Sequence, residues 1–266
     1  MSTILLILEY DGTGFHGWQR QAGARTVQQD LEGALARLQP GAFTLLTSSR
    51  TDAGVHAAFH PVAFRTDSPL PLHAYLRGLN SLLPADLCVR QAAWAQDDFE
   101  PRRSALGKTY RYLVWNARTR RALLATRSWH VPVPLDVETM ATAARHFLGE
   151  HDLSAFRASH CDSHSTMRLV QRLDVERAGD LVTITIRANA FLRNMARIIV
   201  GTLVEVGRGA QEPGWIPELI AGRDRTRAGR TAPPQGLCLE RVHYPRELFL
   251  ALEPEEGLLT EPWTLS

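Results

Sequence analysis

The residues best suited to chemistry lie in the segment Ser49–Ala57, which reads Ser-Arg-Thr-Asp-Ala-Gly-Val-His-Ala. Arg50 and Asp52 are two residues apart, and Gly54 follows. A carboxylate beside a cation at the end of a strand is a candidate for chemistry, since perturbed carboxylates concentrate at functional sites. Asp and Gly are also ordinary turn residues, because Asp bonds its own backbone and Gly accepts positive φ. Taken alone, the segment favours a turn.

The elements around this segment predict a first α+β half. An apolar, β-rich run, Phe43–Thr47, leads into it, and another strand-like run, Val62–Phe64, follows. The other predicted elements are a strand over Ile4–Tyr10, a helix from Thr26 to about Leu38, a helix that begins at Pro71, and a strand over Asp86–Ala95.

The second part of the chain repeats this outline. Its predicted strands are Lys108–Trp115, Arg127–Val131, Leu169–Glu176, Leu181–Ala188 and Leu237–Tyr244, and its helices are Leu135–Leu148 and Phe191–Val206. Helices segregated to one face of a mostly antiparallel sheet predict an α+β fold. We expect two pseudo-symmetric, ferredoxin-like or RRM-like halves, residues 1–104 and 105–266, with a cleft between their sheets.

A glycine-rich loop follows the first strand, and Gly12, Gly14 and Gly17 match the dinucleotide-binding fingerprint by letter. The match is rejected, because no helix opens at the glycines and no acidic residue closes a strand about 20 residues on. The loop instead carries the side chains of Phe15, His16, Trp18, Gln19, Arg20 and Gln21. Exposed aromatic, basic and amide groups together suit base stacking and backbone contact in RNA.

The composition is that of an average globular protein, with 266 residues, 44% hydrophobic and 22% charged. No apolar run approaches transmembrane length, and Ile4–Leu8 is too short for a signal-peptide core. We therefore expect a cytoplasmic protein with no membrane partner. Three cysteines far apart in sequence fit reduced thiols better than a disulfide framework.

The basic residues are almost all arginine, since Lys108 is the only lysine among 30 basic side chains. Arg suits phosphate and stacks on bases, although a genomic codon bias explains the skew equally well. The arginines form two clusters, Arg118, Arg120, Arg121 and Arg127, and Arg223, Arg225, Arg227 and Arg230. Each cluster is either a phosphate footprint or a solvated face.

No metal or nucleotide site is predicted. His160, Cys161, Asp162 and His164 lie within five residues, but zinc ligands usually come in pairs, with a second pair elsewhere. No such second pair is present, so a polar loop is the better interpretation. The sequence also lacks a phosphate-binding P-loop and a nucleophile elbow.

Two further segments carry polar groups. Tyr110 and Tyr112 fall on one face of a predicted strand, where the alternative is a pair of core aromatics. Arg193 and Arg197 are four residues apart and would share one face of a largely buried helix. A buried Arg requires a carboxylate partner, and Asp52 is the candidate.

Five segments in order resemble the motifs of the bacterial tRNA pseudouridine synthase A (TruA) family. They are Tyr10–Gln21, Arg50–Ala57, Lys108–Tyr112, Phe191–Gly201 and Ala232–Leu239. Each motif is weak alone, but the five together span nearly the whole chain. The departures are Ser49 in place of Gly, Ala196 in place of Val, and Cys161-Asp162-Ser163 in place of Cys-Gln-Ser. None of them removes a catalytic group.

The resemblance implies an isomerase that acts on uridines 38, 39 and 40 of the tRNA anticodon stem-loop. The enzyme would cleave the N1–C1′ bond, turn the uracil and rejoin it through C5, with no cofactor and no metal. Asp52 would be the catalytic carboxylate, either as a nucleophile at C1′ or as a base at C2′. Arg197 would pair with Asp52. Tyr110 would stack on the flipped base and could accept the C5 proton.

The remaining implied contacts are with the substrate. Leu237 would pack on the other side of the uracil, and Arg50 would fill the place that the flipped base leaves. Substrate-binding roles are also expected for Phe15, Trp18, Gln19 and His56. The resemblance further implies a homodimer, with the tRNA crossing both subunits.

Two other classes of function remain open at this point. An RNA-binding module without catalysis would keep the basic loops but would not need Asp52. A nucleoside or glycoside hydrolase would need a second carboxylate for its paired chemistry, and the Asp52 segment offers only one.

Overall fold

The computed structural model describes residues 2–41, 43–159, 163–245 and 248–251. The chain divides into two compact units. Of the described residues, the first unit contains those up to Leu106 together with 241–245 and 248–251, and the second contains those of Gly107–Glu240. The sequence prediction had assigned all of residues 105–266 to the second half, whereas residues 105–106 and the described residues after Glu240 belong to the first unit.

The first unit is a layer of two helices on an antiparallel sheet. Its strands are β1 (Ser2–Tyr10), β2 (Leu46–Thr47), β3 (His56–Thr66), β4 (Leu87–Ala95) and β11 (Phe249–Ala251), and its helices are α1 (Val27–Leu38) and α2 (Leu72–Leu82). The sheet order is β11-β4-β1-β3, and β2 also pairs with β3. Helix α2 packs against β4, and α1 packs against α2.

Strand β1 is apolar because both of its faces are covered. Leu5 and Ile7 cluster with Phe99 and with apolar residues of β3 and β4. Successive side chains of a strand point to opposite faces, so Ile4 and Leu6 face the other side, where they are fully buried. A central strand of this kind gives β3, and hence the turn before it, a rigid neighbour.

Helix α1 begins as the capping box predicts. The Thr26 side chain accepts a hydrogen bond from the Gln29 amide. The amides of Val27 and Gln28 donate to the carbonyls of Gly17 and Trp18 in the preceding loop, at 3.2 and 3.0 Å. Unpaired amides at a helix N-terminus need such partners, so the start of α1 holds the glycine-rich loop in place.

The second unit also has an antiparallel sheet covered by helices. Its strands are β5 (Gly107–Trp115), β6 (Trp129–His130), β7 (Gly149–Asp152), β8 (Met167–Ala178), β9 (Leu181–Ala188) and the first four residues of β10 (Leu237–His243), and its helices are α3 (Val137–Arg145), α4 (Met195–Gly207) and α5 (Trp215–Gly222). The order is β5-β9-β8-β7, and β6 pairs with β5 in parallel. The predicted α+β class is confirmed. Among the described residues, none of the helices is long and apolar enough to cross a membrane.

Helix α4 is buried on nearly all sides and lies against another backbone segment. A Cβ on Gly201 would overlap the carbonyl oxygen of Arg230. A Cβ on Gly229 would come within 2.6 Å of the Thr202 Cα. The Thr202 hydroxyl accepts a hydrogen bond from the Gly229 amide at 3.1 Å and donates to the Ile198 carbonyl at 2.8 Å. Glycines at both surfaces therefore permit the close approach.

Several predicted boundaries were wrong. Helix α4 begins at Met195 instead of Phe191, because Asn194 has a left-handed backbone with φ 61°. Arg193 thus precedes the helix and does not share a helical face with Arg197. Only the last two residues of the predicted strand Phe43–Thr47 pair with β3. Strand β7 and helix α5 were not predicted.

Glycines in two helices are expected to respond oppositely to alanine. The Gly201→Ala variant should lose about 1–3 kcal/mol of folding free energy or more, because the new methyl group meets the Arg230 carbonyl. Gly33 lies in α1 with no atom within 4 Å of its added Cβ, so Gly33→Ala should gain about 0.5–1 kcal/mol. Urea unfolding measures both changes. Equal effects of the two substitutions would contradict the proposed backbone contact.

Candidate active site

Asp52 lies in the turn that joins β2 to β3. The Val55 amide donates to the Asp52 carbonyl at 3.1 Å, and Gly54 has φ +77°. A positive φ is accessible to glycine without a steric cost, so Gly54 allows the reversal. The Asp52 side chain is half-buried, whereas Arg50 is exposed. The segment is therefore a turn, as its composition indicates, and the turn presents a carboxylate.

The glycine-rich loop holds this turn through backbone contacts. The Trp18 amide donates to the Thr51 carbonyl at 3.1 Å, and the Gly54 amide donates to the Phe15 carbonyl at 3.2 Å. Gly17 has φ +85°, and a Cβ on it would come within 2.5 Å of the Thr51 carbonyl oxygen. The two segments can approach this closely only because Gly17 has no side chain.

The expected exposure of the aromatic residues in this loop was wrong. Phe15 is 3% exposed and Trp18 is 2% exposed, because both rings pack inside the first unit. The Arg25 guanidinium lies 4.2 Å above the Phe15 ring, and it donates two hydrogen bonds to Asp86. Phe15 and Trp18 thus support the loop from within. Gln19 is exposed, and its substrate contact stays a prediction.

A buried hydrogen-bond network joins the turn to β1 and β3. The Tyr10 hydroxyl lies 2.7 Å from Thr51 Oγ1 and 2.8 Å from His60 Nδ1. The other ring nitrogen of His60 lies 2.7 Å from Thr47 Oγ1. Tyr10 and His60 were not singled out from the sequence as residues of the site. The available signal was a histidine within the apolar run of β3.

His56 supports the same turn from the other side. It is 7% exposed, and its Nδ1 lies 3.0 Å from the Gly12 amide and 3.3 Å from Asp11 Oδ1. One ring nitrogen cannot accept from an amide and donate to a carboxylate at once. The Gly12 amide can only donate, so Nδ1 accepts from it. A Cβ on Gly12 would overlap the Val55 carbonyl. The absence of a side chain at Gly12 therefore allows the same two segments to lie close together.

The second unit carries a separate group of predicted site residues. Tyr110 lies on β5 at 9% exposure, and its ring meets Phe191 edge-on at 4.8 Å between centroids. Leu237, at the start of β10, is 5% exposed. Each belongs to one of the sequence motifs, and both side chains are mostly enclosed.

Arg197 lies in the first turn of α4 and is held by the segment that precedes β10. Its Nε donates to the Ala232 carbonyl at 2.7 Å, and its Nη1 donates to Asn194 Oδ1 at 3.2 Å. The Ala232 amide in turn donates to the Arg197 carbonyl at 3.1 Å. The left-handed Asn194 places its side chain to receive this bond. The guanidinium is therefore fixed in orientation within the second unit.

Tyr112 connects β5 to the segment that precedes β10. It is fully buried, and its hydroxyl donates to the Pro233 carbonyl at 2.8 Å. Burial raises the pKa of Tyr112 well above its usual range, against the opposing effect of Arg197 and Arg230. A Cβ on Gly236 would come within 2.5 Å of the Tyr112 ring. The core interpretation of Tyr112 is correct.

The predicted residues therefore form two groups. Asp52, Arg50, His56 and the glycine-rich loop belong to the first unit, and Tyr110, Arg197 and Leu237 belong to the second. The pairing of Asp52 with Arg197 stays a prediction.

The two arginine clusters differ in their surroundings. Arg118 and Arg120 are exposed. Arg225 instead donates to the carbonyls of residues 228 and 229 and to the Thr231 hydroxyl. Arg223 contacts Asp152 at 3.2 Å, and Arg230 lies 4.6 Å above the Trp129 ring. The second cluster is thus partly structural, whereas in the first Arg121 lies against an aromatic ring, 5.3 Å from Trp115.

Most of the histidine- and cysteine-rich loop lies outside the described residues. This holds for His160, Cys161 and Asp162, and therefore for the Cys161-Asp162-Ser163 departure as well. Within the described ranges, no group of three His, Cys, Asp or Glu side chains is placed to hold a metal ion.

The contact between the glycine-rich loop and the turn can be tested with two alanine substitutions. Gly17 and Gly23 both have positive φ, at +85° and +73°, so each alanine variant should lose roughly 1–2 kcal/mol from backbone strain. Only Gly17→Ala adds a clash with Thr51, because no atom lies within 4 Å of a Cβ on Gly23. Urea unfolding should therefore show a larger loss for Gly17→Ala. Hydrogen exchange at the Trp18 amide should accelerate only in that variant, and equal exchange rates would contradict the contact.

Comparison with known proteins identifies relatives of this chain. A family model described as tRNA pseudouridine synthase matches residues 143–245. A tRNA pseudouridine synthase A of Syntrophotalea carbinolica is 49% identical over 244 residues, which cover 92% of this chain and 97% of the relative. The protein of the same name from Geotalea uraniireducens is 48% identical, over 92% of this chain and all of the relative. One from Myxococcus xanthus is 46% identical, over 92% of each chain.

A solved structure of a Cbf5-Nop10-Gar1 complex aligns with a TM-score of 0.35 and 10% identity, over 88% of this chain and 57% of that chain. A similarity at this level carries no argument. The sequence identity over nearly the full length is decisive, and the chain belongs to the tRNA pseudouridine synthase A family of isomerases.

Proposed function

We propose that this chain converts uridine to pseudouridine in tRNA, at positions 38, 39 and 40 of the anticodon stem-loop. The observation that carries the proposal is the 49% identity to a tRNA pseudouridine synthase A over 92% of the chain. The half-buried carboxylate of Asp52, on a turn held by backbone contacts, supplies a group that can act on a ribose. The anticodon positions rest on the resemblance of the motifs.

The reaction is an isomerisation, so its atoms and electrons balance without an added oxidant or reductant. In one route, a carboxylate oxygen of Asp52 attacks C1′ as the N1–C1′ bond breaks. The freed uracil turns, C5 displaces the carboxylate, and the C5 proton is lost while N1 gains one. In the other route, Asp52 removes the C2′ proton as the uracil anion leaves, and returns it to C2′ as C5 adds to C1′. The C5 proton is then lost while N1 gains one. A rate measurement on uridine carrying deuterium at C2′ separates the two, because only the second breaks that bond.

The second group would complete the site in a cleft between two pseudo-symmetric halves. Arg197 would pair with Asp52, and its bonds to Ala232 and Asn194 would fix the direction of its guanidinium. Tyr110 would stack on the flipped uracil and could accept the C5 proton, with Leu237 on the opposite side. Arg50, exposed beside the turn, would fill the space that the base leaves.

The proposal extends to the assembly and its location. The enzyme would act in the cytoplasm as a homodimer, with one tRNA crossing both subunits. Sedimentation velocity of the purified chain tests the assembly, and a monomer at micromolar concentration would contradict it.

The Asp52→Asn variant should form no pseudouridine while it still binds tRNA, because the amide can neither attack C1′ nor take a proton. Pseudouridine in the anticodon arm of unmodified tRNA is mapped after incubation with wild type and variant, and binding is measured separately. Asp98→Asn is the matched control, since Asp98 is an exposed carboxylate in the same unit. It should convert uridine at the wild-type rate.

Three outcomes decide the assignment. Conversion by the Asp52→Asn variant would refute the catalytic role of Asp52. Conversion at other tRNA positions would refute the anticodon assignment. Binding of tRNA by wild type without conversion would favour an RNA-binding module.

The first arginine cluster should contribute to tRNA affinity in a salt-dependent way. Each phosphate contact adds about 0.7–0.9 to the slope of log K against log salt. The double variant Arg118→Gln/Arg120→Gln should therefore bind tRNA more weakly at 0.1 M salt and show a slope reduced by between one and two. Arg225→Gln should lower the unfolding temperature and leave the slope of the folded protein unchanged. Filter binding across a salt series measures the slopes of both variants, and thermal unfolding measures the stability of Arg225→Gln. An unchanged slope in the double variant would contradict the phosphate contacts proposed for this cluster.

A further inference from the structure

We propose that His60 is a positioning residue for the catalytic turn and acts on Asp52 through Thr51. The inference rests on the proposed function, since it assigns Asp52 the chemical step. His60 is 0% exposed and therefore makes no contact with RNA from its place in β3. It nevertheless has a hydrogen-bond partner at both ring nitrogens.

The directions of these hydrogen bonds follow from the Pro61 carbonyl, at one end of the series of hydrogen-bonded groups. The Thr47 hydroxyl lies 2.9 Å from the Pro61 carbonyl, which can only accept. We assign the single Thr47 proton to the Pro61 carbonyl, which is closer than the Ser49 carbonyl at 3.3 Å, so that the Thr47 oxygen accepts from the His60 Nε2–H. The unprotonated Nδ1 then accepts from the Tyr10 hydroxyl, whose oxygen accepts from the Thr51 hydroxyl. His60 is thus the neutral member of one directed chain that ends at Thr51.

A second route from His60 ends at the same residue. The indole of Trp18 stacks on the imidazole, with centroids 4.5 Å apart and planes 24° apart. The backbone amide of Trp18 donates to the Thr51 carbonyl at 3.1 Å. Thr51 is therefore held at its hydroxyl through Tyr10 and at its carbonyl through Trp18. The first support runs through the His60 ring, and the second comes from a residue whose indole packs against that ring.

The consequence for chemistry comes from the position of Thr51 next to Asp52. With the hydroxyl and the carbonyl of Thr51 both fixed, the peptide plane that leads into Asp52 has a defined direction. An error of about 1 Å in the placement of a reacting group can reduce the rate a hundredfold even when the substitution is remote. A histidine used only for core stability would instead affect the folded fraction and leave the turnover of folded molecules unchanged.

The experiment measures kcat and KM on tRNA, per folded molecule, for a set of variants. His60→Leu keeps the bulk and removes both hydrogen-bonding groups. It should reduce kcat between about tenfold and a hundredfold, with KM unchanged because His60 is buried. His60→Gln retains one donor and one acceptor, so its kcat should lie closer to wild type than to His60→Leu. Tyr10→Phe breaks the same chain one step nearer Thr51 and should reduce kcat in the same way.

Two controls separate positioning from stability. The Tyr75 hydroxyl is also buried in the first unit and donates to Gln39 at 2.9 Å. Tyr75→Phe should lower the unfolding temperature without a change in kcat. The double variant His60→Leu/Tyr10→Phe should have the kcat of its slower parent, because both substitutions cut one chain and their effects should not add.

The outcomes distinguish the two proposals. A wild type that converts no uridine overturns the proposed function and, with it, the role of His60. An active wild type together with an unchanged kcat in folded His60→Leu overturns only the role of His60. Equal losses of kcat in Tyr75→Phe and Tyr10→Phe would also overturn it, because the effect would then not be specific to the hydrogen bonds that end at Thr51.

Discussion

The hydrogen bond from the Trp18 amide to the Thr51 carbonyl is the contact on which the candidate site depends. It joins two segments that have no regular secondary structure at the point of contact, and it requires a residue without a side chain at Gly17. Irregular backbone has no ladder of its own, so its amides and carbonyls need partners from elsewhere. Here each segment supplies the partners of the other, and the turn that carries Asp52 is fixed without belonging to a strand.

In the second unit, other residues hold a charged side chain in place. Arg197 lies on a helix, but its guanidinium is oriented by the carbonyl of Ala232, in a segment that approaches α4 at backbone distance. Gly201 and Gly229 make that approach possible. In both units, a residue proposed for the site is supported by a segment that glycine allows to come close. The Arg197 guanidinium thus has a fixed direction, and the backbone that carries Asp52 is held in place, although neither residue lies in the middle of a sheet.

The sequence predicts most of the helices and strands because their hydrophobic periodicity is a local property. The start of α1 was found from Thr26 and Gln29 for the same reason. What it could not predict depends on distant parts of the chain. Phe15 and Trp18 look like exposed loop aromatics until β3 and Arg25 are placed beside them. From the sequence, Arg225 resembles a phosphate ligand, but in the structure it donates to backbone carbonyls.

The sequence motifs contain both charged residues suited to catalysis and glycines that permit close packing. For this reason they identified the family better than they identified the role of each residue. Asp52 and Arg197 are the charged residues proposed for the chemistry. Gly12, Gly17 and Gly236 are at positions where a Cβ would meet another backbone or ring. A carboxylate in a turn is common in proteins, and its mere presence indicates little. A side chain at Gly12 or Gly17 would displace the turn that carries Asp52, and one at Gly236 would meet the Tyr112 ring. An Asp in a turn that is held by such glycines is therefore more informative than an Asp in a turn alone.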